Sequence, residues 1–200
     1  MMNVLGLTGG IATGKSTASR LFQELDSDCV VFDADRCVAE LYANREVLDR
    51  LSGLLGVELC LSDGSLNRER LRALLFGDER VKLKVQGLIH PLVRKECLAR
   101  KEKALTVGTT TSFIADVPLL FEGGFDFGQE ANLVVAVSRE TQVQRLIMRN
   151  GFDEATVQAI LEAQLPIETK QDRADFVFWN EGSESLLQSQ IKRFIENNYQ

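Results

Sequence analysis

The segment Gly9-Gly10-Ile11-Ala12-Thr13-Gly14-Lys15-Ser16 constrains this chain more than any other. It fits G-x-x-x-x-G-K-[ST] and lies between an apolar run, Asn3 to Thr8 (NVLGLT), and a stretch from Ser16 to Leu25 that sets Ala18, Leu21, Phe22 and Leu25 at helical spacing. Strand, glycine-rich turn and helix in that order make a phosphate cradle. Glycines let the backbone curl until successive N–H groups face phosphate oxygens, and the helix adds the positive end of its dipole. In such a loop Lys15 reaches the β and γ phosphates, and the Ser16 hydroxyl ligates Mg²⁺. The glycine spacing is not G-x-G-x-x-G, which excludes the dinucleotide fingerprint.

The rest of the chain continues the alternation. A second strand, Cys29 to Phe32, runs into Asp33-Ala34-Asp35. From there to about Val107 the pattern is almost wholly helical: Glu46 to Leu55, Arg68 to Phe76 and Glu79 to Ala104, the last expected to bend or break at His90-Pro91. Strands are predicted again over Ser112 to Val117, Leu133 to Val137 and Phe176 to Trp179. Helices are predicted over Arg139 to Met148, Asp153 to Gln164 and Ser183 to Ile195. Buried strands separated by helices imply an α/β fold with a mostly parallel sheet. The stretch 36–107 offers no strand and reads as a helical insertion in one core made of 1–35, 108–138 and 174–200.

Composition narrows the function classes. The 200 residues are 44% hydrophobic and 26% charged, so a real core is available, and no apolar run approaches the roughly 20 residues that span a bilayer. No basic leader precedes the first strand, and a cytoplasmic location is expected. Four widely spaced cysteines and one histidine form no zinc pattern, so reduced thiols are expected. A net charge of −6 argues against bulk nucleic-acid or anionic-membrane binding. Arg68 to Lys103 nevertheless holds 11 basic and 5 acidic residues, a local +6 that suits either solvated helix faces or an anion-binding surface.

A phosphate cradle is common to kinases, GTPases and ATPases, so other residues must supply the second substrate. No Asn-Lys-x-Asp for guanine is present. Asp33 stands at the carboxyl end of the second strand, where open α/β sheets bind ligands, and a carboxylate there can take the proton of an acceptor hydroxyl. Asp35 reads equally as a helix N-cap. Asp116 ends the third strand, near a metal or in the turn around Pro118. Arg145 and Arg149, four apart on one helix, form either a solvated face or a pair of phosphate-facing cations.

Together these segments resemble the dephospho-coenzyme A kinase family over almost the whole chain. The resemblance rests on Leu7-Thr8-Gly9-Gly10 through Lys15-Ser16-Thr17, Asp33-Ala34-Asp35, His90-Pro91-Leu92-Val93-Arg94, Val117-Pro118-Leu119-Leu120-Phe121-Glu122, Gln164, Ala174-Asp175 and Asn180-Glu181-Gly182. It implies a P-loop kinase three-layer fold, a helical CoA domain at 36–107 and a helical lid at 139–173. The implied activity is ATP-dependent phosphorylation of the ribose 3′-hydroxyl of dephospho-CoA, with Mg²⁺.

Residue by residue, the resemblance implies that Gly10, Ile11, Ala12, Thr13, Gly14, Lys15, Ser16 and Thr17 bind ATP phosphates, with Lys15 also catalytic. Asp33 is implied as the base, Arg145 as the lid cation at the transferred phosphate, and Thr8 as a further catalytic-site contact. Arg149, Asn180 and Gly182 fall on the ATP side. Asp33, His90, Arg94, Pro118 and Leu119 fall on the acceptor side, and the protein is expected to be a monomer or a weak homo-oligomer.

Two positions depart from the family pattern. Ile11-Ala12-Thr13 stands where Ile-Gly-Ser is common, a mild change for a loop that binds through backbone amides. Ile160 stands where many relatives carry an arginine. A shikimate-kinase-like enzyme would share the Asp-x-Asp, but Phe121-Glu122-Gly123-Gly124 lacks its triple glycine and the helical insertion is too long. A regulatory module that binds ATP without transferring phosphate is the alternative of a different class.

Overall fold

The computed structural model describes residues 2–198 and resolves into two compact units, Met1–Asp33 with Arg100–Gln200, and Ala34–Ala99. The first carries five parallel strands: β1 (Asn3–Gly9), β2 (Cys29–Asp33), β3 (Ser112–Asp116), β4 (Ala131–Ala136) and β5 (Phe176–Trp179). Their order is β2-β3-β1-β4-β5. The chain leaves β1 toward β2 but leaves β3 toward β4, so connections diverge between β1 and β3, where open sheets bind ligands at their carboxyl ends. Register pairs Leu7 with Asp116 and Asp116 with Asp33, which brings Asp33, Asp116 and the end of β1 to that one edge.

The central strands are buried on both faces, as parallel strands between helices must be. One face packs Leu5, Leu7, Ile114, Leu133 and Val135 against α1 (Lys15–Leu25) and α9 (Glu184–Asn198). Phe22 is fully buried there, edge-on to Phe178 and Phe194 with ring centroids 5.9 and 6.1 Å away. Burying such a ring is worth about 2–3 kcal/mol. The other face sets Val134 and Ala136 against Ile167 of α8 (Ile167–Asp172). Burial also pushes the Cys29 thiol up to about 11, so it packs as a neutral group, and all four cysteines are free.

α6 (Arg139–Asn150) and α7 (Glu154–Glu162) follow β4. Ser138 caps the first through Thr141 N–H and Asp153 caps the second through Thr156 N–H, while Gly151 takes a left-handed conformation between them. Their apolar face, Leu146, Val157 and Leu161, packs against Ile11 and Ala12 of the glycine-rich loop. The phosphate loop therefore packs against α6 and α7, in the region where the family resemblance implies a lid.

The second unit is helical: α2 (Ala34–Leu41), α3 (Arg45–Leu55), α4 (Arg68–Gly77) and most of α5 (Glu79–Val107). Its one β feature among the described residues is an isolated bridge between Cys60 and Leu66. α5 corrects an expectation, because it does not break at His90-Pro91 and carries Pro91 inside the helix. The stripe Val85, Ile89, Val93 and Cys97 is buried at strict four-residue spacing straight through the proline. Burial along that stripe outweighs the one hydrogen bond that Pro91 cannot make, and Pro91 itself is exposed. Two short helices, α2 and α8, had no counterpart in the predicted elements.

Candidate active site

Carbonyls rather than amides of the glycine-rich loop are engaged by the surrounding protein. The Gly9 carbonyl accepts from Lys170 Nζ at 3.1 Å, Gly10 from the Thr13 hydroxyl at 2.9 Å, and Ile11 from Gln142 Nε2 at 2.8 Å. Ala12 accepts from Arg145 Nη1 at 3.2 Å, Thr13 from Asn180 Nδ2 at 2.9 Å, and Gly14 from Ala18 N–H at 3.1 Å. In a trans peptide the N–H points opposite to its C=O. Pinning these carbonyls therefore turns the N–H groups of Gly10, Ala12, Gly14 and Lys15 away from the groups that hold them, as a loop that donates to phosphate requires. The Ile11 and Thr13 N–H groups are exceptions, donating to Gln164 Oε1 at 3.1 Å and to the Gly10 carbonyl at 3.4 Å.

Two glycines explain the spacing of the motif. A Cβ on Gly9 would sit 2.6 Å from the Val135 carbonyl oxygen, inside the sheet. Gly14 has φ 93° and lies against the Asn180 amide, so both its conformation and its space exclude a side chain. Gly14 is also the N-cap of α1. No side chain caps that helix and no acidic residue occupies its first turn, which leaves its positive end to an anion.

Ala12 is the departure that the structure makes consequential. Its φ of 61° is the one positive value for a non-glycine among the described residues, which accounts for glycine being common there. Ala12→Gly is expected to stay within about 1 kcal/mol of wild-type stability, since relief of strain offsets lost backbone entropy and packing. Ala12→Val, β-branched in a left-handed position, is expected to cost at least about 2 kcal/mol. Thermal melts of both variants check this, and equal melting temperatures would contradict it.

Lys15 forms an ion pair with Asp116 of β3, whose second oxygen accepts from the Ser19 hydroxyl at 2.5 Å. Both are largely shielded, with side-chain exposures of 15% and 6%. Ser16 is exposed in the first turn of α1 and Thr17 is half-buried beside it. Among the described residues no cluster of three His, Cys, Asp or Glu could hold a metal. The oxygen donors at hand, the Ser16 hydroxyl and the Asp116 carboxylate, suit Mg²⁺, which binds few protein ligands and keeps phosphate oxygens and waters for the rest.

Arg145 spans two segments, donating Nη1 to Ala12 and Nη2 to the Asn180 carbonyl at 2.8 Å. The Ser138 amide and the Thr141 hydroxyl hold the exposed Glu181 carboxyl below its usual range, which fixes the turn after β5 beside Arg145. Gly182 follows in that turn. Arg149 is exposed at the end of α6 and bonds Asn150.

Thr8 is fully buried and donates its hydroxyl to the Pro118 carbonyl at 3.0 Å. Pro118 is half-buried and Leu119 exposed, just past the end of β3. Asp33 is exposed at the end of β2, immediately before α2, and Asp35 lies inside the first turn of that helix rather than at its cap. His90 and Arg94 belong to the other unit, one turn apart and exposed on α5. The structure thus gathers the loop, Thr8, Pro118, Arg145 and Asn180 in one unit, with Asp33 on the same sheet edge.

Residues that sequence reasoning missed are Gln142 and Lys170. Both are buried, at 4% and 0% exposure, and both hold loop carbonyls. A polar residue on the apolar face of its own helix, Gln142 one turn before Leu146, was the available signal.

The family model for dephospho-CoA kinase matches residues 3–185. The chain belongs to the dephospho-CoA kinase family. Members similar to it include the dephospho-CoA kinase of Bacillus cereus, 36% identical over 198 residues and 98% of each chain. That of Syntrophotalea carbinolica is 36% identical over 95% of this chain and 89% of its own. Among solved structures, TT1252 from Thermus thermophilus has a TM-score of 0.80 at 31% identity, over 98% of both chains. A shikimate kinase from Acinetobacter baumannii has a TM-score of 0.55 at 13% identity, over 100% of this chain and 97% of its own, a likeness of fold alone. This dephospho-CoA kinase family member is therefore an α/β phosphotransferase of the P-loop kinase fold.

Proposed function

We propose that this kinase transfers the γ-phosphoryl group of ATP to the ribose 3′-hydroxyl of dephospho-CoA, with Asp33 as base, Lys15 as the phosphate-binding cation and Arg145 as the cation at the migrating group. The observation that carries the reading is the carbonyl-pinned loop at the carboxyl edge of the sheet, beside Asp33, in a chain of this family. Asp33 accepts the proton of the 3′-hydroxyl as that oxygen bonds to the γ-phosphorus. The bond from phosphorus to the β,γ-bridging oxygen then breaks, leaving ADP. Lys15 leaves Asp116 for the β and γ oxygens and neutralises charge that grows there.

Bound Mg²⁺, held through Ser16, would further neutralise the phosphates. Gly10, Ile11, Ala12, Thr13, Gly14, Ser16 and Thr17 form the rest of the phosphate cradle, and Asn180 with Gly182 takes the adenine side. Of the five guanidinium donors of Arg145, one holds the loop at Ala12 and one the Asn180 carbonyl, and the rest serve the phosphates, with Arg149 as a lesser contributor. Thr8 acts through the Pro118 carbonyl that it holds. The 139–173 segment serves as the lid, with its hinge at Gly151-Phe152-Asp153, and Gly151 already adopts the left-handed backbone of a turn.

The helical unit takes the acceptor, whose pyrophosphate suits the basic stretch from Arg68 to Lys103. The enzyme works in the cytoplasm, a reducing compartment that suits its four free cysteines. No helix among the described residues is long and apolar enough to cross a membrane.

A coupled assay of ADP release across a panel of hydroxyl acceptors tests the assignment. Turnover is expected with dephospho-CoA and not with shikimate, and the reverse preference would overturn it. Within the same assay Arg94→Ala is expected to raise KM for dephospho-CoA about tenfold or more, the loss of one charge-assisted contact, while KM for ATP stays within twofold. Equal effects on both substrates would remove Arg94 from the acceptor site.

A further inference from the structure

Lys170 is the one fully buried lysine among the described residues, and the chemistry proposed above gives its ammonium nothing to do. We propose that Lys170 is a positioning residue that locks the phosphate loop to the loop after β3 and so keeps donor and acceptor in line, an inference that rests on the phosphotransfer reading. Its Nζ donates to the Gly9 carbonyl at 3.1 Å and the Pro118 carbonyl at 3.4 Å, and pairs with Glu122 Oε1 at 2.8 Å. An ammonium has three protons, so three acceptors saturate it.

The three acceptors lie on two segments, the phosphate loop and the loop after β3. Gly9 opens the phosphate loop. Pro118 stands beside Leu119 in the segment assigned to the acceptor, and its carbonyl also takes the Thr8 hydroxyl. Glu122 ends that segment, and the same Oε1 accepts from the Leu165 N–H at 3.1 Å, which ties in the turn between α7 and α8. Gln142, Arg145 and Asn180 pin the later loop carbonyls, but of these four side chains only Lys170 also grips the loop after β3.

A lysine held this deep is a costly way to gain stability, since apolar replacements of buried charges are often as stable. Its return is a fixed geometry. Misplacing reacting groups by about 1 Å costs on the order of 10²-fold in rate. Loss of Lys170 leaves the remaining loop carbonyls pinned, so ATP binding persists while the acceptor loop drifts and water gains access to the γ-phosphorus.

The test measures kcat, both KM values, the Kd for ATP and the ratio of ADP to coenzyme A formed, in wild type, Lys170→Met and Glu122→Gln. For Lys170→Met the expected result is a fall of about 10²-fold in kcat, a Kd for ATP within threefold of wild type, and a product ratio rising above the wild-type value near one. Glu122→Gln keeps the oxygen that Leu165 uses but loses the counter-charge. It is expected to fall about tenfold with the same rise in ratio. A kcat within threefold in folded Lys170→Met would overturn the proposal. So would a Kd for ATP that worsens in proportion to kcat at an unchanged product ratio, which is the mark of a merely structural residue. Should Lys170→Met fail to fold, wild-type kcat and ratio in Glu122→Gln would overturn it instead. A wild-type enzyme that forms no coenzyme A fails the functional reading itself, and the proposal with it.

Discussion

Lys15→Ala is expected to lower kcat by about 10³-fold or more and, by itself, to destabilise the fold. The first effect follows from removing a cation from the phosphates in a site where a single positioned charge is worth on the order of 10³ or more. The second follows from Asp116, which is 4% exposed and would keep only the Ser19 hydroxyl as partner. An uncompensated buried carboxylate costs roughly 3–5 kcal/mol, a drop of about 10 °C in a domain of this size. Adding Asp116→Asn removes the orphaned charge. The double variant is therefore expected to melt close to wild type while remaining inactive. Recovery of activity in the double variant would show that Lys15 serves Asp116 and not the phosphates. A melting temperature unchanged by Lys15→Ala alone would show that the ion pair contributes nothing to the fold.

Asp33→Asn is expected to reduce kcat by roughly 10²–10⁴-fold with KM for ATP unchanged within threefold. The amide keeps the shape of the carboxylate and its place at the end of β2, but it cannot accept the 3′-hydroxyl proton. Asp33 is exposed at the end of β2, and the isosteric amide keeps the side chain's size there. Steady-state rates at saturating ATP and dephospho-CoA measure it. A kcat within a few-fold of wild type would reduce Asp33 to a residue that starts α2.

What was legible in the sequence was what obeys local rules. The motif from Gly9 to Ser16 announced the loop because glycine spacing, lysine and hydroxyl each answer one physical demand of a phosphate. The five strands were legible as apolar runs too short for anything else, and each predicted strand lies within two residues of the observed one. Pro91 does not break α5, because one missing hydrogen bond weighs less than a buried stripe more than three turns long, from Val85 to Cys97. Helices α2 and α8, of eight and six residues, are too short to show a period.

The outer support of the loop was the least legible part. A lysine in Ile167-Glu168-Thr169-Lys170 and a glutamine in α6 look like solvated polar residues until distant carbonyls are found against them. Nothing local in the sequence states which backbone oxygens will need a donor. Ala12 is the converse case, where a substitution that leaves amide binding intact still carries a conformational cost visible only in φ.

The central claim is that one phosphoryl group moves from ATP to the ribose 3′-oxygen of dephospho-CoA on this loop. The most direct measurement is phosphorus NMR of the wild-type enzyme incubated with ATP, Mg²⁺ and dephospho-CoA. The predicted result is one new 3′-phosphomonoester resonance growing in step with ADP, and no ADP without the acceptor. ADP appearing with inorganic phosphate alone, or a phosphomonoester at any other position, would contradict it.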